Sequence, residues 1–367
     1  MRGRRVARHV AAFAALGALA VGCTVGPAAN RGEREDRSAE EEQRPGDEGG
    51  DDEAPPPLFP DDPPQGEPEP EPTAAPATGS ATAAPEPVID QAVDACCLAQ
   101  VPESEDLLIA SGDTVFLHQA DGEGELTPLG QVPGEIMGLA LPRSATGSYV
   151  GVFVSYAASD GGHVSGFRYY PDRDWEPWGA TPTELIDDPF PLAGDGARGG
   201  GALAFGPDGY LYAGTGDAGD PAVAEDTASL AGKVLRLDPN GSDPPVVHSP
   251  GPYADVRGIA WDQDRMWVVD AADDGARLFS VVPEGDPVDV WELPGEVPTG
   301  LAASEGSLWM PGGAEGRLWR IPLHGTALVP DPAAVLDLAA PGALLADAGS
   351  TDLLALGDGA VLRLTVE

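Results

Sequence analysis

The chain has 367 residues and a formal net charge of −41, with Lys233 its single lysine. Forty-nine glycines and 39 prolines against 6% aromatics exclude a protein of long helices and favour short elements joined by turns. Such acidity is repelled by phosphate backbones and anionic lipid, which excludes nucleic-acid partners and leaves membrane attachment to insertion or a covalent anchor.

The charge divides along the chain as +4 over residues 1–22, −13 over 24–87 and −32 over 88–367. Arg2, Arg4, Arg5 and Arg8 precede an apolar run from Val10 to Val21. That run is too short to span a bilayer comfortably and predicts an export signal over 1–22. It ends Leu19-Ala20-Val21-Gly22-Cys23, and small residues before a cysteine resemble the bacterial lipobox. The resemblance implies lipidation of Cys23 and a protein exported and lipid-anchored at the outer face of the cell membrane. Ordinary signal cleavage, with Cys23 incidental, is the other reading. Residues 23–87 are acidic and proline-rich with almost nothing large and apolar to bury, which predicts a disordered, extended tether.

Residues 88–367 repeat. A phrase of small residues, a polar turn and a second apolar run returns at Gly201-Ala-Leu-Ala-Phe, Arg257-Gly-Ile-Ala-Trp, Thr299-Gly-Leu-Ala-Ala and Gly342-Ala-Leu-Leu-Ala. A divergent copy starts at Met137-Gly-Leu-Ala-Leu. Each reads as a small-residue strand followed by a strand of alternating large residues. The spacing suits four-stranded propeller blades, and residues 95–131 supply one more. The predicted fold is all-β, a six-bladed β-propeller of four-stranded antiparallel blades. The last repeat runs one strand short after Val361–Val366, so a strand near Pro87–Val93 is expected to close the ring. Closure removes the exposed sheet edges that invite aggregation. Cys96 and Cys97 are adjacent, either a vicinal disulfide or two buried thiols; a zinc site is improbable without a His or Cys cluster.

Residues 199–241 read GGGALAFGPDGYLYAGTGDAGDPAVAEDTASLAGKVLRLDPNG. This stretch resembles the signature region of the glucose/sorbosone dehydrogenases, PQQ-dependent soluble aldose dehydrogenases built on six-bladed propellers. The resemblance implies PQQ and Ca²⁺ as cofactors. It also implies a general-base His in a His-x-Gly-Gly pattern, which falls on Arg198 here, and an Asp that orients it, which falls on Asp217. An arginine stays protonated and cannot act as that base. The Arg and Asn that hold the quinone in the family fall on Ala254 and Asp255, with Arg257 nearby as a cofactor-binding candidate. The family's Ca²⁺ loop falls on Val269–Asp273.

Asp217, Asp220 and Asp226 form an acidic stretch that suits a hard cation, although solvated loop acids are commoner. Trp261, Trp267, Trp309 and Trp319 recur at equivalent positions and read first as packing, second as a sugar-stacking platform. Trp175 and Trp178 read as a rim or partner contact. Three functions stand open: a monomeric propeller that has lost quinone chemistry and binds a sugar, cell-wall fragment or protein; a divergent active dehydrogenase; and a scaffold without a small-molecule site.

Overall fold

Short strands joined by tight turns leave a chain like this one way to bury both faces of every sheet, which is to stack the sheets radially. A computed structural model shows that arrangement. It describes residues 80–366 apart from 85, 93, 123–124, 146–147, 174–177, 195–197, 283–285, 326, 329–330 and 349. The expected signal, Cys23, most of the tether and Trp175 lie outside the described residues.

Six antiparallel sheets follow one another along the chain. The first blade pairs Ala95–Gln100, Leu107–Ser111, Thr114–His118 and Leu126–Gln131 in order. The second holds Glu135–Ala140, Val150–Ala158, Gly161–Tyr169 and Trp178–Glu184. The third holds Gly200–Phe205, Leu211–Thr215, Val234–Leu237 and Val246–Ser249. The fourth holds Val256–Asp262, Arg265–Ala272, Gly275–Val281 and Val288–Pro294. The fifth pairs Ala302–Ser304, Ser307–Gly312, Arg317–His324 and Ala333–Asp337, with Ala327–Leu328 on the end of Arg317–His324. The sixth takes Leu344–Ala346, Leu353–Gly357 and Ala360–Val366, and its outer strand is Ala81–Ala83. The fold is a six-bladed β-propeller.

The pairing strand from the N-terminal side is therefore Ala81–Ala83 rather than one near 87–93, and it falls inside the stretch read as tether. The reason is local: residues 88–92 do a different job. Ile89 bridges Val361, and Ile89 and Ala92 pack with Leu98, Leu107, Leu354 and Val361 between the sixth and first blades. Five further apolar clusters fill the other junctions between consecutive blades.

The second strand of each blade departs from the expected alternation. Leu211–Thr215, Ser307–Gly312 and Leu353–Gly357 are buried at every residue. A blade wedged between two neighbours has no solvent face near its centre, so the period of two disappears there, as in other sheets covered on both sides. The recurrent tryptophans belong to these junctions. Trp267 and Trp309 are fully buried, and Trp261 packs edge-on against Tyr212. Trp178 is buried and stacks on Phe167, so it is core rather than rim.

The glycine of the repeated phrase has a steric cause. A Cβ on Gly138 would lie 1.9 Å from the Gly201 carbonyl oxygen of the next blade, and one on Gly258 would lie 2.6 Å from Leu301. The innermost strands converge towards the axis, and only glycine lets their backbones approach that closely.

Candidate ligand-binding site

The six innermost strands leave a cavity of about 530 Å³ on the axis. Four of them are bulged at their start: between Ala95 and Cys97, Ile136 and Gly138, Gly200 and Leu203, and Val256 and Gly258. A bulge leaves one residue outside the ladder and re-aims its side chain. Those residues are Cys96, Met137, one of the pair Gly201–Ala202, and Arg257; Cys96, Met137, Ala202 and Arg257 all line the cavity. Glu135 and Thr299 add polar groups. The recurrent phrase carried a usable signal for this wall, since the residue ahead of its glycine is Met137, Arg257 or Thr299. Cys96 and Cys97 are joined in a disulfide, which decides between the two readings of that pair.

Beside the cavity, the third and fourth blades share a charged junction. Arg198 precedes the innermost strand of the third blade and sits at φ 55°, the left-handed region that favours glycine. Its carbonyl accepts a hydrogen bond from the Ala218 N–H at 3.1 Å. Arg198 Nε donates to Asp217 Oδ1 at 2.7 Å, Nη2 donates to Asp217 Oδ2, and Nη1 donates to Asp273. The two-pronged contact with Asp217 matches guanidinium to carboxylate geometry. It also raises the arginine's affinity for its proton further, the Asp217 hydrogen bonds being the largest cause. Asp217 is buried and also accepts the Gly219 N–H at 2.8 Å.

Asp255, at which the family resemblance sets a quinone-binding Asn, is committed to protein. Its Oδ1 accepts the Gly200 N–H at 2.9 Å, tying the third blade to the fourth. Its Oδ2 accepts from Arg257 Nε at 2.8 Å and from Nη2. Asp270 accepts the backbone N–H of Asp255 at 2.6 Å and of Ala254 at 3.1 Å. Burial pushes the Asp270 carboxyl up to about 6, with the charges of Asp255 and Asp217 adding to it. Burial raises Asp255 too, against the pull of Arg257 and Arg198. Four acids therefore face two arginines in this junction, and both arginines are already paired. The sequence placed Asp270 only within the stretch matching the family's Ca²⁺ loop, whereas its value here lies in tying down two backbone donors.

The acidic stretch does not gather. Asp220 caps the short helix Pro221–Glu225 by accepting the Ala222 N–H, and Asp226 accepts the Ala228 N–H, so each carboxylate closes its own turn. Among the described residues, no three His, Cys, Asp or Glu side chains converge as a metal site. The loop is held instead by Lys233, fully buried, whose Nζ donates to the Ala224 and Ala231 carbonyls. Burial lowers its pKa. Sequence reading counted this lysine without finding its role.

Among the described residues, no histidine lines the cavity. His118 is buried in the first blade, His163 pairs with Asp160 at 2.9 Å, and His248 packs against Tyr212. None of the recurrent tryptophans lines it either.

The sequence profile described as Glucose / Sorbosone dehydrogenase matches residues 152–275, which takes in the whole third blade and the first two strands of the fourth. A PQQ-bound aldose sugar dehydrogenase from Streptomyces coelicolor is 30% identical, with a TM-score of 0.69 over 80% of this chain and 99% of that one. A putative glucose dehydrogenase from Thermus thermophilus shares the fold at 22% identity, with a TM-score of 0.65 over 78% and 100% of the two chains. The soluble aldose sugar dehydrogenase of Escherichia coli does so at 16% identity and a TM-score of 0.63, over 78% and 99%. With 30% identity sustained over 99% of a solved relative, this chain belongs to the glucose/sorbosone dehydrogenase family.

Proposed function

We propose that this protein is an exported, lipid-anchored member of the family in which the axial cavity binds a ligand without the family's quinone chemistry. One observation carries the reading: the position of the general base is an arginine held by Asp217 and Asp273. A cation so paired neither accepts a proton nor is free to hold an anion.

The residues do not fit PQQ. The cofactor is a tricarboxylate, and its clamp positions hold Ala254 and an Asp255 that already accepts from Gly200 and Arg257. Among the described residues, Arg257 is the single basic side chain on the cavity wall, and Glu135 shares that wall. In a body of net charge −32, one paired arginine does not offset the repulsion. A ligand suited to the cavity is neutral, with an apolar side for Met137, Pro298 and the disulfide and polar groups for Thr299, Glu135 and Arg257. A sugar or cell-wall fragment meets that description.

The second reading is a divergent, active quinoprotein that oxidises aldoses, and the 30% identity to a PQQ-bound relative favours it. Titration with PQQ, followed by absorbance, and dye-linked aldose oxidation in the presence of PQQ and Ca²⁺ separate the two. The expected result is neither saturable PQQ binding nor turnover above the protein-free rate. Saturable binding with turnover establishes the second reading. Calorimetry against neutral sugars and cell-wall fragments then tests the ligand class, and heat with none of them points to a scaffold.

A further inference from the structure

The first blade brings a disulfide to the axial cavity. Cys96 is the bulged residue, half-buried, and lines the cavity; Cys97, bonded to it, is 5% exposed and packs in the core between the first two blades. A sulfur nucleophile entering the cavity therefore meets Cys96 and not Cys97.

We propose that Cys96–Cys97 is a thiol–disulfide exchange site that takes low-molecular-weight thiols through the axial cavity. A thiolate attacks Cys96 Sγ, the bond to Cys97 breaks, and Cys97 leaves with the electron pair as a thiolate. The product is a mixed disulfide on Cys96. A second thiolate attacks the donor sulfur of that mixed disulfide, releasing the oxidised donor as a disulfide and Cys96 as a thiolate. Two electrons pass to the protein, two thiols are oxidised to one disulfide, and both cysteines take protons from solvent. The low-molecular-weight thiol is the reductant, and its disulfide re-oxidises the pair by the reverse path.

Size and charge define the donor. A cavity of about 530 Å³ admits a thiol of tripeptide size, whereas a folded protein donor cannot follow it to the wall. Glu135 on the wall and the Asp217, Asp255, Asp270 and Asp273 carboxylates beside it outnumber Arg198 and Arg257, and the balance favours neutral or cationic thiols over anionic ones.

The test uses the full chain under native conditions. Cysteamine, 2-mercaptoethanol and thioglycolate are compared at equal thiolate concentration, quenched with N-ethylmaleimide, and mapped by peptide fragmentation. The first adduct is expected on Cys96, with cysteamine reacting roughly tenfold faster than thioglycolate. Ala202→Trp, which fills the cavity from the third blade, is expected to slow the reaction roughly tenfold at an unchanged unfolding midpoint. Met137→Trp serves if that variant does not fold. First adducts on Cys97, a rate equal to that of global unfolding, or indifference to both filled cavities overturns the proposal.

Discussion

Arg198 stands at the mouth of the third blade as the hub of a charged junction. Its guanidinium spans Asp217 and Asp273, and Asp217 is buried. Arg198→Ala leaves that carboxylate without its partner and is expected to cost about 2–3 kcal/mol, below the roughly 3–5 kcal/mol of a fully buried pair because the arginine is itself a quarter exposed. Urea denaturation reads the loss directly, and Asp217→Asn in the same background should recover part of it. Arg198→His, which restores the family's residue, is expected to leave PQQ-dependent aldose oxidation absent, because Ala254 and Asp255 still occupy the clamp. Turnover by that single variant would show that the clamp had been misjudged. The pairing itself was legible in the sequence, where the family resemblance sets Arg198 and Asp217 side by side. Asp270 was read only as part of the family's Ca²⁺ loop, because its contribution is two backbone hydrogen bonds to the lead-in of the fourth blade, and no side-chain motif encodes that.

At the scale of elements, the repeated phrase located the innermost strands well. Starts expected near 137, 202, 258, 300 and 342 meet strands beginning at 135, 200, 256, 302 and 344. The acidic stretch was misleading for a physical reason. Asp220 and Asp226 are turn and cap formers whose short side chains find the nearest backbone N–H before any ion. What holds the loop 216–233 is Lys233 beneath it. Lys233→Met keeps the apolar stem and removes the donors from two buried carbonyls, so it is expected to cost about 1–3 kcal/mol. Limited proteolysis should then cut within 216–233 well before the rest of the propeller. A variant as resistant as the wild type would mean the loop stands without that lysine.

Across the whole molecule, the ring joins where the two ends of the propeller meet. Ala81–Ala83 completes the sixth blade and Ile89 and Ala92 fill its contact with the first. A chain beginning at residue 80 is expected to unfold in one cooperative transition, whereas one beginning at 95 bares the edge of Ala360–Val366 and should aggregate or melt broadly. Light scattering and calorimetry distinguish these outcomes. The closing strand escapes a sequence reading because small residues such as Ala81–Ala83 do not look like a strand on their own; pairing supplies what propensity lacks. The −32 of the propeller should also be felt globally. Molar salt screens repulsion among surface carboxylates, so the melting temperature is expected to rise from low to molar salt, and a flat response would show that the charges are already balanced locally.

The bulges carry a consequence for how such a molecule changes over time. Cys96, Met137 and Arg257 each stand outside their ladder's pairing and point towards open space on the axis. Replacing one alters what the cavity recognises without disturbing a strand register, although Cys96 and Met137 also touch the cores of the neighbouring junctions. What the cavity presents and how the strands pair are thus set by largely different residues. A lineage can exchange one for something new, drift through forms that do nothing, and still inherit the same six-part ring.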